Sequence, residues 1–195
     1  LILDKYMPKS TIYAFEPVKK TFEQLQKNIS NSKNIIPINK GFFKENCTKE
    51  INLYDSNTHS SLFEIKGVNY APVNTIQIEL CTGDDFVIEN KIDVIDFLKL
   101  DLEGAEYDAL LGFEQLLKNN KIKAIQFEYG YINISSKKLL IDFYELLEKH
   151  NYILGKIYPK HVEFRQYKFK HEDFIGPNFI AVCKTEEKLI KLLSK

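Results

Sequence analysis

The sequence predicts an α/β fold, with a mostly parallel sheet and one antiparallel closing strand. Three features carry that prediction. β-type runs alternate with segments of helical periodicity along most of the chain. Several of those runs end on a carboxylate: Glu16, Asp101 and Glu128. The stretch from Val94 to Glu106, VIDFLKLDLEGAE, passes from a buried-type strand directly into a helix.

Ligands of open α/β sheets lie outside the carboxyl ends of the strands, so acids placed there face the crevice where chemistry is done. Asp101 and Glu103 hold the strand end after Leu100, and Glu106 is a third candidate. Glu106 and Asp108 equally suit the positive end of the following helix, which is an ordinary place for acids. Gly104 lets the chain turn sharply between them. Strand alternation sets Phe97, Lys99 and Asp101 on one face, where Lys99 calls for a carboxylate partner.

Composition narrows the classes of function. At 195 residues the chain is long enough for one domain with a sizeable core. Its 27 basic and 27 acidic side chains cancel, which removes long-range attraction to nucleic acid or an anionic membrane. Cys47, Cys81 and Cys183 are scattered without metal-ligand or disulfide spacing, which points to a reducing compartment. No apolar run approaches the roughly 18 residues of a membrane span, and no leader pattern opens the chain. The expectation is a soluble, cytoplasmic protein.

The elements follow in order. Leu1 to Tyr6, stopped by Pro8, reads as the end of an amphipathic helix that began upstream. Thr11 to Phe15 is a short strand ending on Glu16, and Val18, Phe22, Leu25 and Ile29 then recur as one helical stripe. An acid in Glu16's position either accepts hydrogen bonds from a ribose or simply suits the helix start. Ile35 to Asn39 contains Pro37, which donates no N–H, so this strand belongs at a sheet edge. Between Gly41 and Glu89 the short runs INLYD, SLFEI and TIQIELC suggest an antiparallel excursion. At its tip His59, Ser60 and Ser61 offer hydroxyl and imidazole groups, but adjacent loop residues rarely meet as a nucleophile and base. After the Val94–Glu106 stretch a helix stops at Gly112 and a second piece runs to Leu117. Ala124 to Glu128 is a strand, Leu139, Phe143, Leu146 and Leu147 mark a helix capped by Ser135 or Ser136, and Tyr152–Tyr158 and Asn178–Cys183 are two closing strands. The basic and aromatic segment between them, KHVEFRQYKFKHEDF, reads as a surface connection or an acceptor-binding loop; neutral overall charge disfavours a role with single-stranded nucleic acid. A final helix is capped at Thr185.

Three motifs go further than alternation. IYAFEP at 12–17, TGDDF at 82–86 and DFLKLDLEGAE at 96–106 together resemble the FkbM-type family of S-adenosylmethionine-dependent methyltransferases, over about Ile12 to Lys184. The resemblance implies a Rossmann-like class I sheet with S-adenosylmethionine as cofactor. It places Glu16 on the cofactor's ribose, Gly41 and Phe42 near its adenine, and Asp101 and Glu103 beside the transferred methyl. Family members methylate hydroxyl oxygens on sugars and secondary metabolites, which implies a small-molecule or glycan hydroxyl as acceptor. Asp101 is then the first candidate to orient or accept the hydroxyl proton, with Glu128 second.

The family also carries an earlier strand, ending in Asp and a glycine-rich turn, that lies between the IYAFEP and VIDFLKL strands. This sequence has no counterpart, so the expectation is a single N-terminally truncated domain, or one completed by another chain. Several unpaired buried backbone groups, at about 1–3 kcal/mol each, rival a domain's whole stability. Other readings stay open: a non-catalytic remnant serving as an interaction module, or a divalent cation at Asp101 and Glu103. A nicotinamide enzyme lacks its G-x-G-x-x-G here.

Overall fold

The computed structural model describes residues 6–54, 60–65, 71–176 and 178–195. The expected helix at 1–6 and His59 lie, all or in the main part, outside them.

Strand β1 (Ile12–Phe15) and β2 (Ile35–Ile38) pair in parallel through helix α1 (Lys19–Asn28). The α1 stripe packs as its spacing predicts: Phe22 and Leu25 are half-buried between buried Val18 and Ile29. Pro37 sits opposite Ala14, and β2 has no second neighbour among the described strands. Its edge position follows from the missing N–H.

The antiparallel excursion is a four-stranded sheet. It is built from β3 (Gly41–Phe42), β4 (Cys47–Leu53), β5 (Ser60–Ser61) and β6 (Asn74–Cys81), in the order β3-β6-β4-β5. Only β3 and β6 run parallel. Val18, Phe43, Ile51, Ile78 and Leu80 form its own small core.

Helix α2 (Gly83–Glu89) leads to β7 (Ile95–Leu100), the acidic turn, α3 (Glu106–Leu111) and α4 (Glu114–Lys118). β8 (Ile122–Glu128), α5 (Ile132–Ser136), α6 (Leu140–Lys149), β9 (Tyr152–Ile157), β10 (Val162–Phe164), β11 (Asn178–Cys183) and α7 (Glu187–Leu193) complete the chain. The second large sheet has the order β10-β9-β11-β8-β7. Phe127 stacks on Phe143 at 4.7 Å and on Phe179 at 5.9 Å in the main core below it. Each such aromatic contact adds about 0.5–1.5 kcal/mol to the burial of its rings.

Four expectations are corrected. The fold is mixed α/β, not a mostly parallel sheet: β7 and β8 are parallel, but β8-β11, β11-β9 and β9-β10 are all antiparallel. Short links such as Tyr158–His161 between β9 and β10 can only reverse the chain, which forbids parallel pairing there. β7 is buried on one face only: Leu98 and Leu100 are covered, whereas Phe97 and Lys99 are exposed at the end of the sheet. Ser135 and Ser136 lie within α5 rather than capping α6, whose N-cap is Leu139. Glu186, not Thr185, precedes α7.

Candidate active site

The turn after β7 brings the acids together. Glu103 and Gly104 both adopt left-handed backbone, with φ of 50° and 102°. Glycine carries that conformation freely, while Glu103 needs local support. Ser61, itself buried, donates its hydroxyl to the Glu103 carbonyl at 2.7 Å and accepts from Phe63 N–H. It therefore ties β5 to the acidic turn and is no exposed nucleophile. Among the described residues no three His, Cys, Asp or Glu side chains converge to hold a metal ion.

Two cavities meet this turn, and Asp101 and Glu103 line both. The larger, about 440 Å³, is also bounded by Glu128, Tyr129, Tyr131 and Gly176. Burial, then the nearby charges of Asp101 and Glu103, pushes the Glu128 carboxyl above its usual range, while Lys99 opposes the shift. Lys99 finds its expected partner in Asp101, but both side chains are nearly half exposed, at 47% and 44%. At that exposure the pair contributes little stability, about 0–1 kcal/mol, and its role is to temper the negative charge.

The smaller cavity, about 200 Å³, holds Glu16, Gly41 and Phe42. One Glu16 oxygen, Oε1, accepts Val18 N–H at 2.8 Å at the start of α1. This contact fits the helix-start reading, and Oε2 accepts no hydrogen bond among the described residues. Burial raises the Glu16 pKa, and the Val18 hydrogen bond partly offsets that. Gly41 is held tightly: a Cβ there would come within 2.7 Å of Leu80. Phe42 lies 4.0 Å from Phe15, ring centre to ring centre, and both rings line the cavity.

Part of this lining was not anticipated. Ile51, Ser60 and Ile78 come from the four-stranded sheet and Leu62 follows β5, so the antiparallel excursion supplies a wall of the smaller cavity. Alternation of Ile51 and Ile78 with polar neighbours was the available signal, but it does not say where an excursion folds back. Tyr131 and Gly176 were missed in the larger cavity, whereas Tyr129 sits on the same rim as Glu128, as its place directly after that strand-end acid implies. Asp108 stays on α3 and lines neither cavity.

TGDDF has a structural role. Thr82 caps α2 by accepting from Asp85 N–H, and Asp85 in turn accepts from Thr82 and Asn46, which lowers its pKa. Asp84 accepts from Gln115 and Leu116 N–H at the start of α4.

The Methyltransferase FkbM domain family matches residues 2–154 of the chain. The crystal structure of Methyltransferase FkbM from Methylobacillus flagellatus KT is similar, with a TM-score of 0.53 at 16% identity. The likeness covers 92% of this chain and 39% of that one, so the chain spans well under half the length of that protein. At this identity the likeness concerns the fold. No curated protein matches the chain. Among the described residues, no helix is long and apolar enough to cross a membrane.

Proposed function

Because the chain belongs to the methyltransferase FkbM domain family, we propose that it is an S-adenosylmethionine-dependent methyltransferase acting on a hydroxyl oxygen of a sugar or other small molecule. The observation that carries this reading is the acidic turn shared by two cavities. The smaller cavity offers the Glu16 carboxylate beside aromatic and aliphatic walls, which fits a ribose and a base. The other offers a basin edged by three carboxylates, Asp101, Glu103 and Glu128, and large enough for a small acceptor.

The bound cofactor supplies an electrophilic methyl group. The protein's own residues bind, orient and handle the proton. Glu16 would accept from the ribose hydroxyls, and Phe15, Phe42 and Ile78, which line the same cavity, would cover the base. Asp101 and Glu103 would complement the positive charge of the cofactor from the turn. Asp101 would accept the single O–H of the acceptor and its proton, with Glu128, whose carboxyl burial holds above the usual range, as the second candidate for that role. Placement of the hydroxyl is the larger contribution, since positioned reactants gain up to about 7–11 kcal/mol of the barrier.

A class I sheet would carry one more strand between β1 and β7. Each of these has a single strand neighbour among the described residues, and both end at the smaller cavity. We propose that a further strand, from the same or another chain, fills that position and brings the two sheets into one Rossmann-like layer.

Calorimetric titration of S-adenosylmethionine into this chain, and into a form extended upstream in its reading frame, tests the reading. Binding by either form, weakened about tenfold or more by Glu16→Ala, is the expected result, equal to 1.4 kcal/mol or more. Folded protein that binds in neither form overturns it in favour of an interaction module. Transfer of labelled methyl to simple glycosides but not to amines is the expected acceptor preference, and Asp101→Asn should abolish that transfer with less effect on cofactor affinity.

A further inference from the structure

One side chain braces the acidic turn from within while lining neither cavity. Glu106 opens α3 and is fully buried. Its Oε1 accepts Leu102 N–H at 2.7 Å and its Oε2 accepts Gly104 N–H at 3.0 Å. Those two amides flank Glu103, the residue held in left-handed backbone. Non-glycine residues stay in that region only where their surroundings over-determine them. Here the surroundings are the Glu106 carboxylate, the Ser61 hydroxyl and the close packing of Gly104 against Ile132 and Phe63, where a Cβ would lie 3.0 and 3.2 Å away.

We propose that Glu106 is the positioning residue of this turn, its ionised carboxylate fixing the backbone angles that aim Asp101 and Glu103 at the two cavities. The proposal rests on the methyltransferase reading of those cavities. A carboxylate has acceptors on both oxygens and can satisfy both N–H groups. A protonated acid, or a carboxamide, turns a donor toward one of them. The neutral form therefore loosens one half of the turn. The facing charged group is Glu128 on β8, whose negative charge opposes ionisation of Glu106. Burial is the larger effect and pushes the Glu106 carboxyl up to about 7, so both forms are populated near neutral pH.

Backbone amide NMR of the whole chain and of Glu106→Gln, between about pH 5.5 and 8.5, tests the proposal alongside S-adenosylmethionine titration and thermal unfolding of both proteins. Leu102 and Gly104 resonances should move together in the wild type with one midpoint near 7, and stay still in the variant. Wild-type affinity should rise about tenfold across that range through linkage to the same ionisation, while the variant remains at the low-pH level. At pH 8 the variant should melt no lower than the wild type. A merely structural brace would lower melting temperature and affinity together. Independent movement of the two amides, or full affinity of Glu106→Gln at pH 8, overturns the proposal. If neither protein binds the ligand, the reading of the cavities fails, and the amide titration alone decides the positioning role.

Discussion

A carboxylate as deeply buried as Glu106 costs stability whenever it is charged. Its pKa stands at about 7 in the folded chain against an ordinary 4.5, so the folded state holds the extra proton. The associated stabilisation is complete below about pH 4.5 and is lost as pH rises through about 7; at 1.36 kcal/mol per unit it amounts to roughly 3 kcal/mol. Urea unfolding should therefore show a decline between pH 5 and 8 in the wild type that Glu106→Gln largely removes. An equal slope in both proteins would contradict the assignment. Gly83 offers a test with no titration: a Cβ there would lie 2.0 Å from the Phe113 ring. Gly83→Ala should lose about 1–3 kcal/mol by overpacking, read from the urea midpoint at unchanged slope. Sequence reading reached the residues of the turn because Asp101, Glu103 and Gly104 follow a strand of recognisable type. It left Glu106 divided between site and helix end, since nothing in spacing alone reports that a carboxylate folds back onto two amides of its own turn.

Helix α6 gains its N-terminal partners from two directions. Asp142 accepts Leu139 N–H, and Glu172, far away in sequence, accepts both Leu140 and Ile141 N–H at 2.9 Å. Glu172 also accepts the hydroxyls of Tyr129 and Tyr167. Burial alone would raise its pKa, yet these hydrogen bonds together lower it. Because the shift is downward, its contribution is present above the ordinary carboxylate pKa and disappears as pH falls through the lowered value. Glu172→Ala removes a helix cap and leaves two tyrosine hydroxyls without their partner, an expected loss of about 3 kcal/mol in urea unfolding. It should also speed amide exchange at Tyr129 and Gly130, whose backbone packs against Gly176 in the larger cavity. A loss confined to α6 would show that the segment reaching Gly176 stands without the latch. The helix itself was legible from Phe143 and Leu147, but its cap was not, because caps are sought within a few residues and this one arrives from a tertiary fold-back.

Strand existence was legible for most of the molecule, β10 inside the basic and aromatic segment excepted, and strand direction only in part: the excursion and the closing strand are antiparallel as expected. Periodicity of two in TIQIELC or IKAIQFE marks a face and is silent on which neighbour a strand meets. The class I layout supplied a parallel expectation, whereas chain reversals after β9 impose antiparallel pairing. Cooperativity should follow the observed division. β8 and β11 each have neighbours on both sides and carry fully buried Ile125, Phe127, Ala181 and Val182. Among the described residues β1 and β2 have only each other as strand neighbours, and every β1 residue is half-exposed. Hydrogen exchange should find β8 and β11 protected to nearly the global unfolding free energy and β1 exchanging by a lower-energy local opening. Equal protection of β1 and β8 would refute this ordering. What joins the two regions is a set of aromatic edges, Tyr13 and Phe15 against Phe86 at 5.2 and 4.8 Å, with the smaller cavity at one end of the join. A molecule lodged in that cavity would touch Phe15 and Glu16 on one bank and Asp101 and Ala105 on the other. It would act as a rivet across the seam, so its affinity would appear first as mechanical cohesion between those two banks.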